Sequence, residues 1–186
     1  MLVFSENVSH NRTLMEPALW IAIGVTGFFG FIAIHELGHA IAARLIGIPA
    51  DDVAVRLLEW PAHVALRSDG QWHQPGTPEY QSTYQRHEPH RKRLGLFVAA
   101  GFITQTVAMM VASAASVALG FDDLGARLVR ISIVVNGLYL VGDAVGALIA
   151  RTPTGDMSSM IRHTPVAGWT TLAGISAARS AAWSVI

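Results

Sequence analysis

Three stretches of this chain are too apolar, over too great a length, for an ordinary water-facing helix. Leu94–Phe121 contains no charged residue, Ile131–Ala150 contains one, Asp143, and Ala18–Ala43 has ionisable side chains only at His35, Glu36 and His39. A helix of ~20 residues crosses the hydrocarbon layer. Inside lipid every backbone N–H and C=O must pair within its own segment, so these runs must be helical. Thr164–Ile186 is a weaker fourth run, interrupted by Arg179, which could instead lie at the interface. Composition points the same way. The chain is 52% hydrophobic and 14% charged, against ~25% charged in soluble domains, and its mean hydropathy is +0.41. The expected fold class is mainly α, a polytopic membrane protein forming one membrane-embedded domain over 1–186. About four transmembrane helices are expected, at about 18–46, 94–120, 129–150 and 164–186.

The polar segment 47–93 is expected to be a surface loop. Val53–Leu58 and His63–Arg67 are β-prone around Glu59-Trp60-Pro61, and Ser68-Asp69-Gly70 reads as a turn. A small β hairpin or sheet at the membrane surface follows. Gln71–Glu88, rich in Pro, Gly, Gln and Thr, is expected to be a loop. This segment carries Arg56, Arg67, Arg86, Arg91, Lys92 and Arg93, and the one after the third run carries Arg151 and Arg162. The opposite side has Arg12, Arg127 and Arg130. The positive-inside rule places loop 47–93 in the cytoplasm and both termini outside. The expected setting is an integral protein of the cell membrane, a bacterial inner membrane, with the lipid bilayer as partner. Trp20, Trp169 and Trp183 are candidate interfacial anchors, and Arg91-Lys92-Arg93 a candidate contact with anionic head groups.

Other classes fall away. With 13 basic and 13 acidic residues the net charge is zero, so no nucleic-acid partner is expected. There is no cysteine, which excludes disulfides and thiolate metal sites. The start, Met1 to Glu6, lacks the basic region of a signal peptide and is expected to be a retained tail. Nothing in the sequence fixes an oligomeric state.

Ionisable groups inside a membrane segment are expensive and mark function. Here they spell His35-Glu36-Leu37-Gly38-His39. On a helix, positions i and i+4 share a face, so the two imidazoles can hold one ion. Glu36 beside them can take a proton from a water that the ion has made acidic. With 8 His and 6 Glu in 186 residues, a chance match is about a one-in-a-hundred event. The rival reading, a buried polar cluster bonding helices together, accounts for one such residue but not for three at this spacing. Zn2+ suits imidazole ligands without thiolates and needs no redox partner. In a low-dielectric site its charge asks for a third ligand that is Asp or Glu. Two candidates lie at the matching end of the third run: Asp143 within it, and Asp156 just beyond it in Thr154-Gly155-Asp156-Met157. Asp156 could equally cap the next helix.

These residues resemble the site-2 protease family of intramembrane zinc metalloproteases, as a divergent and minimal member. His35-Glu36-Leu37-Gly38-His39-Ala40, with Ala43-Arg44-Leu45-Ile46-Gly47-Ile48 after it, is similar to the family's first core helix and its exit. Ala99-Ala100-Gly101-Phe102-Ile103-Thr104-Gln105 is similar to its Ala-Gly-Pro-x-x-Asn/Gln motif, with Phe102 in place of proline. Asn136 matches the Asn of the third motif, and Tyr139 stands where a proline often does. The resemblance implies hydrolysis of peptide bonds in membrane-spanning or membrane-proximal protein substrates, with Zn2+ as cofactor and Glu36 as the catalytic base. It implies His35, His39 and an aspartate as metal ligands, Asp156 by motif shape or alternatively Asp143. It implies substrate binding by Gln105 and Asn136, through the substrate backbone or the developing oxyanion, and strand addition near Val53–Leu58. The alternatives are a catalytically inactive homologue that binds membrane segments or partner proteins, and a small metal transporter. Gly24, Gly27 and Gly30 permit close helix packing or a substrate gate, and His63, His73, His87, His90 and His163 read as surface histidines.

Overall fold

The computed structural model describes residues 4–88 and 93–185, with side chains from 17 to 184. His90, Arg91, Lys92, Met1 to Val3 and the side chain of Arg12 lie outside the described residues. The expected N-terminal tail is helical from Phe4 onward, because α1 runs Phe4–Leu45 and takes Pro17 into its interior. Its apolar portion, Pro17–Leu45, is one of three helices among the described residues long and apolar enough to cross a membrane. The others are α3 (Leu94–Ala118) and α4 (Asp122–Ala150). Gly120, with φ of 79°, turns the chain between α3 and α4. It takes the left-handed backbone that glycine adopts freely. The third helix starts well before the expected boundary. Asp122 and Asp123 occupy its first turn, where negative charge favours the helix dipole.

The fourth run is also a helix, α6 (Pro165–Val185), but it is not among the three that meet the length and hydropathy of a span. Thr170, Thr171, Ser176, Ser180 and Arg179 dilute it. Arg179 turns inward, 5% exposed, and its Nε donates to Ser132 Oγ at 3.0 Å. At the α4 N-terminus, Arg127 lies over the Trp20 ring at 3.4 Å and Arg130 over Trp183 at 5.2 Å. These cation–π pairs tie α1 and α6 to α4. Gly27 faces Ile131 of α4, whereas Gly24 and Gly30 face open space.

After α1, a single 3-10 turn leads into a three-stranded antiparallel sheet in the order β1 (Val53–Arg56), β2 (His63–Ser68), β3 (Gln71–His73). Val53 pairs with Leu66 and Arg56 with His63, while Leu66 also pairs with His73. Asp69 and Gly70, at φ of 53° and 79°, form the β2–β3 turn, the left-handed pair that Asp-Gly favours in a two-residue hairpin loop. Val64 and Leu66 of the central strand bury against Ala43, Ile46 and Ile48 at the end of α1 and against Phe97 of α3. The sheet is thereby fixed beside the helix that carries the HExxH residues.

Gln71–Glu88 is not the loop expected from its composition. It contains β3 and then α2 (Pro78–His87). Thr77 caps α2, its Oγ1 accepting from Tyr80 N at 3.2 Å, and Pro78 occupies the first turn. Tyr84 buries one face of α2 into the core shared by α1, the sheet and α3. A further short helix, α5 (Asp156–His163), fills what was expected to be a connection. Met157 and Met160 seat α5 against Ala99 and Phe102 of α3 and Ile175 of α6. That docking carries Asp156 inward.

Candidate metal centre

The site starts from α1. Four residues advance a helix by just over one turn, so His35 and His39 present their rings in the same direction. Their ring centroids are 4.9 Å apart, and their Nε2 atoms lie 3.2 Å from each other. Both rings are buried, as is Glu36 between them in sequence. His39 Nδ1–H donates to the carbonyl of Phe97 at 3.0 Å. That bond directs Nε2 at the site, the arrangement by which an outer partner orients a metal-binding imidazole. His35 is held on its other sides by Phe102, edge-on at 4.9 Å, and by Tyr139 at 5.2 Å between centroids.

The third member comes from the far end of the chain. Asp156 Oδ2 lies 2.9 Å from His35 Nε2 and 2.8 Å from His39 Nε2. Burial pushes the Asp156 carboxyl up, but the adjacent imidazoles outweigh it and hold the acid well below the usual carboxylate range. Among the described residues, His35, His39 and Asp156 are the one set of three whose ligand atoms could share an ion, all within 4.8 Å of one another. Tetrahedral zinc with bonds of ~2.0–2.1 Å spaces its ligand atoms ~3.3 Å apart, so these donors need to part only slightly. Two neutral nitrogens and a carboxylate, with no sulfur, are the donor set of a three-ligand catalytic zinc rather than a closed structural one. The residues therefore fit the metal.

Asp143 is elsewhere. It lies four residues beyond Tyr139 on the same face of α4, which at 1.5 Å per residue is ~6 Å further along the axis. There it meets the chain returning into α5. Asp143 Oδ2 accepts from Ser158 N at 2.7 Å and Oδ1 from Ser158 Oγ at 2.5 Å, with Thr154 Oγ1 also donating at 3.3 Å. A carboxylate from α4 thus caps the N-terminus of α5, two residues from the metal-facing Asp156. The approach is close: a Cβ on Gly155 would meet Asp143 Cγ at 2.7 Å.

A cavity of about 30 Å³ opens beside the imidazoles, lined by His35, Glu36, Gln105, Asn136 and Tyr139 among others. It has room for one or two waters. Gln105 Nε2 donates to Phe31 O at 3.4 Å and Asn136 Nδ2 to Ser132 O at 2.8 Å. Their oxygens, Gln105 Oε1 and Asn136 Oδ1, are buried without a partner. The two amides therefore present acceptors, which suit a substrate N–H or a water.

No family model matches this chain, and no curated protein or solved structure matches it. The resemblance to the site-2 protease family expected from the sequence rests on its motifs alone. Sequence reasoning placed the two imidazoles, Glu36, Asp156, Gln105 and Asn136, and the structure brings all six to one place. It missed the Phe97 carbonyl, which no side-chain pattern can reveal, and it assigned Tyr139 no role. The spacing Asn136, Tyr139, Asp143, one face of one helix, was the available signal for the latter.

Gly101 is where α3 passes the site. A Cβ there would stand 2.6 Å from both His35 Nε2 and His39 Nε2, and neither ring is free to retreat, because Phe97, Phe102 and Tyr139 hold them. Gly101→Ala is expected to lower zinc affinity by a factor on the order of 10² or more while leaving helix content unchanged, the scale seen when ligand orientation is disturbed. Zinc titration with a competing chelator, alongside circular dichroism, checks this.

Proposed function

We propose that this protein is an intramembrane zinc metalloprotease, cleaving peptide bonds of membrane-spanning or membrane-proximal protein substrates. The observation that carries the reading is that Asp156, 117 residues beyond His39, reaches the two imidazoles of an HExxH helix beside a cavity lined by Glu36. Burying these groups among helices apolar enough to cross a membrane is costly, so their presence there marks function. Zinc, when bound, would supply Lewis acidity, polarising the scissile carbonyl and lowering the pKa of a water toward ~7.

The chain's own residues do the rest. Glu36 accepts the proton of the attacking water and delivers it to the leaving nitrogen. Gln105 Oε1 and Asn136 Oδ1 accept from N–H groups of a substrate that has left its helical form, since a helical peptide has those groups already paired. β1, at the edge of the sheet beside the end of α1, offers a line along which such an extended segment can add. In this reading α1, α3 and α4 span the bilayer, with the sheet on the cytoplasmic side, where Arg56, Arg67, Arg86 and Arg93 gather.

The test is proteolysis by the protein reconstituted in lipid vesicles with a membrane-anchored reporter. Chelation is expected to stop cleavage, and one equivalent of Zn2+ to restore it. A zinc-loaded protein that cleaves no membrane-anchored reporter, across a panel of differing transmembrane segments, overturns the reading.

A further inference from the structure

We propose that Tyr139 is a catalytic residue whose phenol O–H donates a hydrogen bond to the substrate carbonyl oxygen as that oxygen gains charge. The inference rests on the protease reading above and concerns a part of the reaction that reading leaves without a protein donor. Hydrolysis adds the oxygen of water to the carbonyl carbon, and one water proton passes to Glu36. The C–N bond then breaks as Glu36 returns that proton to the nitrogen, yielding a carboxylic acid and an amine. Throughout, the former carbonyl oxygen carries added negative charge, and preorganised donors aimed at it are commonly the largest protein contribution to such a rate.

The other donors around the cavity are engaged at least in part. Backbone N–H groups of α1, α3 and α4 at this depth are inside helices and already paired. The NH2 groups of Gln105 and Asn136 each give one of their two N–H to the carbonyls of Phe31 and Ser132, which turns the nitrogens toward the helix backbone. His39 Nδ1–H is bonded to Phe97 O, and the Nε2 atoms of both histidines face Asp156.

Tyr139 offers a loosely held O–H donor. Its hydroxyl lies 3.4 Å from Asp156 Oδ2, a separation too long for a strong O–H···O bond, so the proton can turn to a better acceptor at small cost. The ring itself is fixed: its centroid is 5.2 Å from that of His35 and 5.5 Å from that of Phe102, the latter edge-on at 86°. The residue lines the cavity together with Glu36 and His35. It is also 39% exposed, so it stands at the mouth where a substrate enters rather than behind the site. A carbonyl held between Glu36 and the two imidazoles would meet this hydroxyl first.

Tyr139→Phe keeps the ring and its packing and removes only the O–H. In the vesicle assay at saturating Zn2+, kcat is expected to fall on the order of 10²-fold, the scale for loss of one oxyanion donor. KM is expected to stay within twofold and bound zinc at the wild-type level. A kcat within threefold of wild type overturns the proposal and leaves the protease reading standing. A loss of activity matched by an equal loss of bound zinc also overturns it, since Tyr139 would then merely position Asp156. Wild type cleaving no faster than Glu36→Gln defeats the protease reading, and the role of Tyr139 falls with it.

Discussion

Glu36→Gln is expected to reduce cleavage of a membrane-anchored reporter at least 10³-fold while bound zinc stays at the wild-type level. The two halves of that result have separate causes. Glu36 is not among the side chains whose atoms converge on the candidate ion; those belong to His35, His39 and Asp156. Glutamine has the shape of glutamate and loses only the charge and the proton-accepting power, so the cavity it lines beside His35 and Asn136 keeps its form. Removing the sole base from a reaction that must take a proton from water and later return it costs both steps. General base catalysis contributes ~10²–10⁴-fold to a single transfer, and a 10³-fold loss corresponds to ~4 kcal/mol of transition-state stabilisation. The buried position adds a check on stability. Glu36 is 7% exposed, and a buried carboxylate is a desolvated charge. The neutral amide therefore leaves thermal stability equal or raised, and a misfolded variant would be recognised by a fall in it. Equal cleavage by Glu36→Gln and wild type, with zinc bound in both, would remove Glu36 from the chemistry and the protease reading with it.

What could be read from the chain follows from how tightly each element is constrained locally. The HExxH geometry needs nothing but a helix, and an apolar segment in lipid must be one, so His35, Glu36 and His39 were fixed by spacing alone. β1 and β2 were visible because two β-prone runs flank Glu59-Trp60-Pro61, whereas β3 was not, since Gln71–His73 falls in a stretch whose composition reads as a loop. α2 was hidden by its composition. Between Gln71 and Glu88 the Pro, Gly, Gln and Thr residues suggest a loop, yet Thr77-Pro78-Glu79 is a helix start in the order cap, first turn, acidic residue. Only Thr83 and Tyr84 of α2 are buried, too few to give an apolar stripe that the sequence alone would show. The choice between Asp143 and Asp156 was undecidable from depth because it turns on a tertiary event. The chain leaves α4 at Arg151, in a left-handed conformation at φ of 56°, and folds back so that Met157 and Met160 bury against α3 and α6. The long-range docking of a short amphipathic helix leaves no periodic trace upstream of it.

That same docking separates the two aspartates in what their loss should do. Asp156→Ala is expected to cost ~10³-fold or more in zinc affinity, since it deletes one of three protein ligands from a binding free energy of ~10–16 kcal/mol in structural zinc sites. Asp143→Asn is expected to cost only ~10–100-fold, the range for partners that orient a ligand without touching the metal. Its effect runs through the N-terminus of α5. The amide can still accept from Ser158 N, which now approaches Asp143 Oδ2 at 2.7 Å, but its NH2 opposes the Ser158 hydroxyl donor on the other oxygen. α5 then loses a charged cap, and Asp156, its first residue, loses its fixed position. The difference should appear as enthalpy and as affinity when each variant, in lipid nanodiscs, is titrated with Zn2+ by calorimetry. If Asp143→Asn strips the metal while Asp156→Ala keeps it, the ligand assignment is inverted, and the carboxylate at the head of α5 is a helix cap after all.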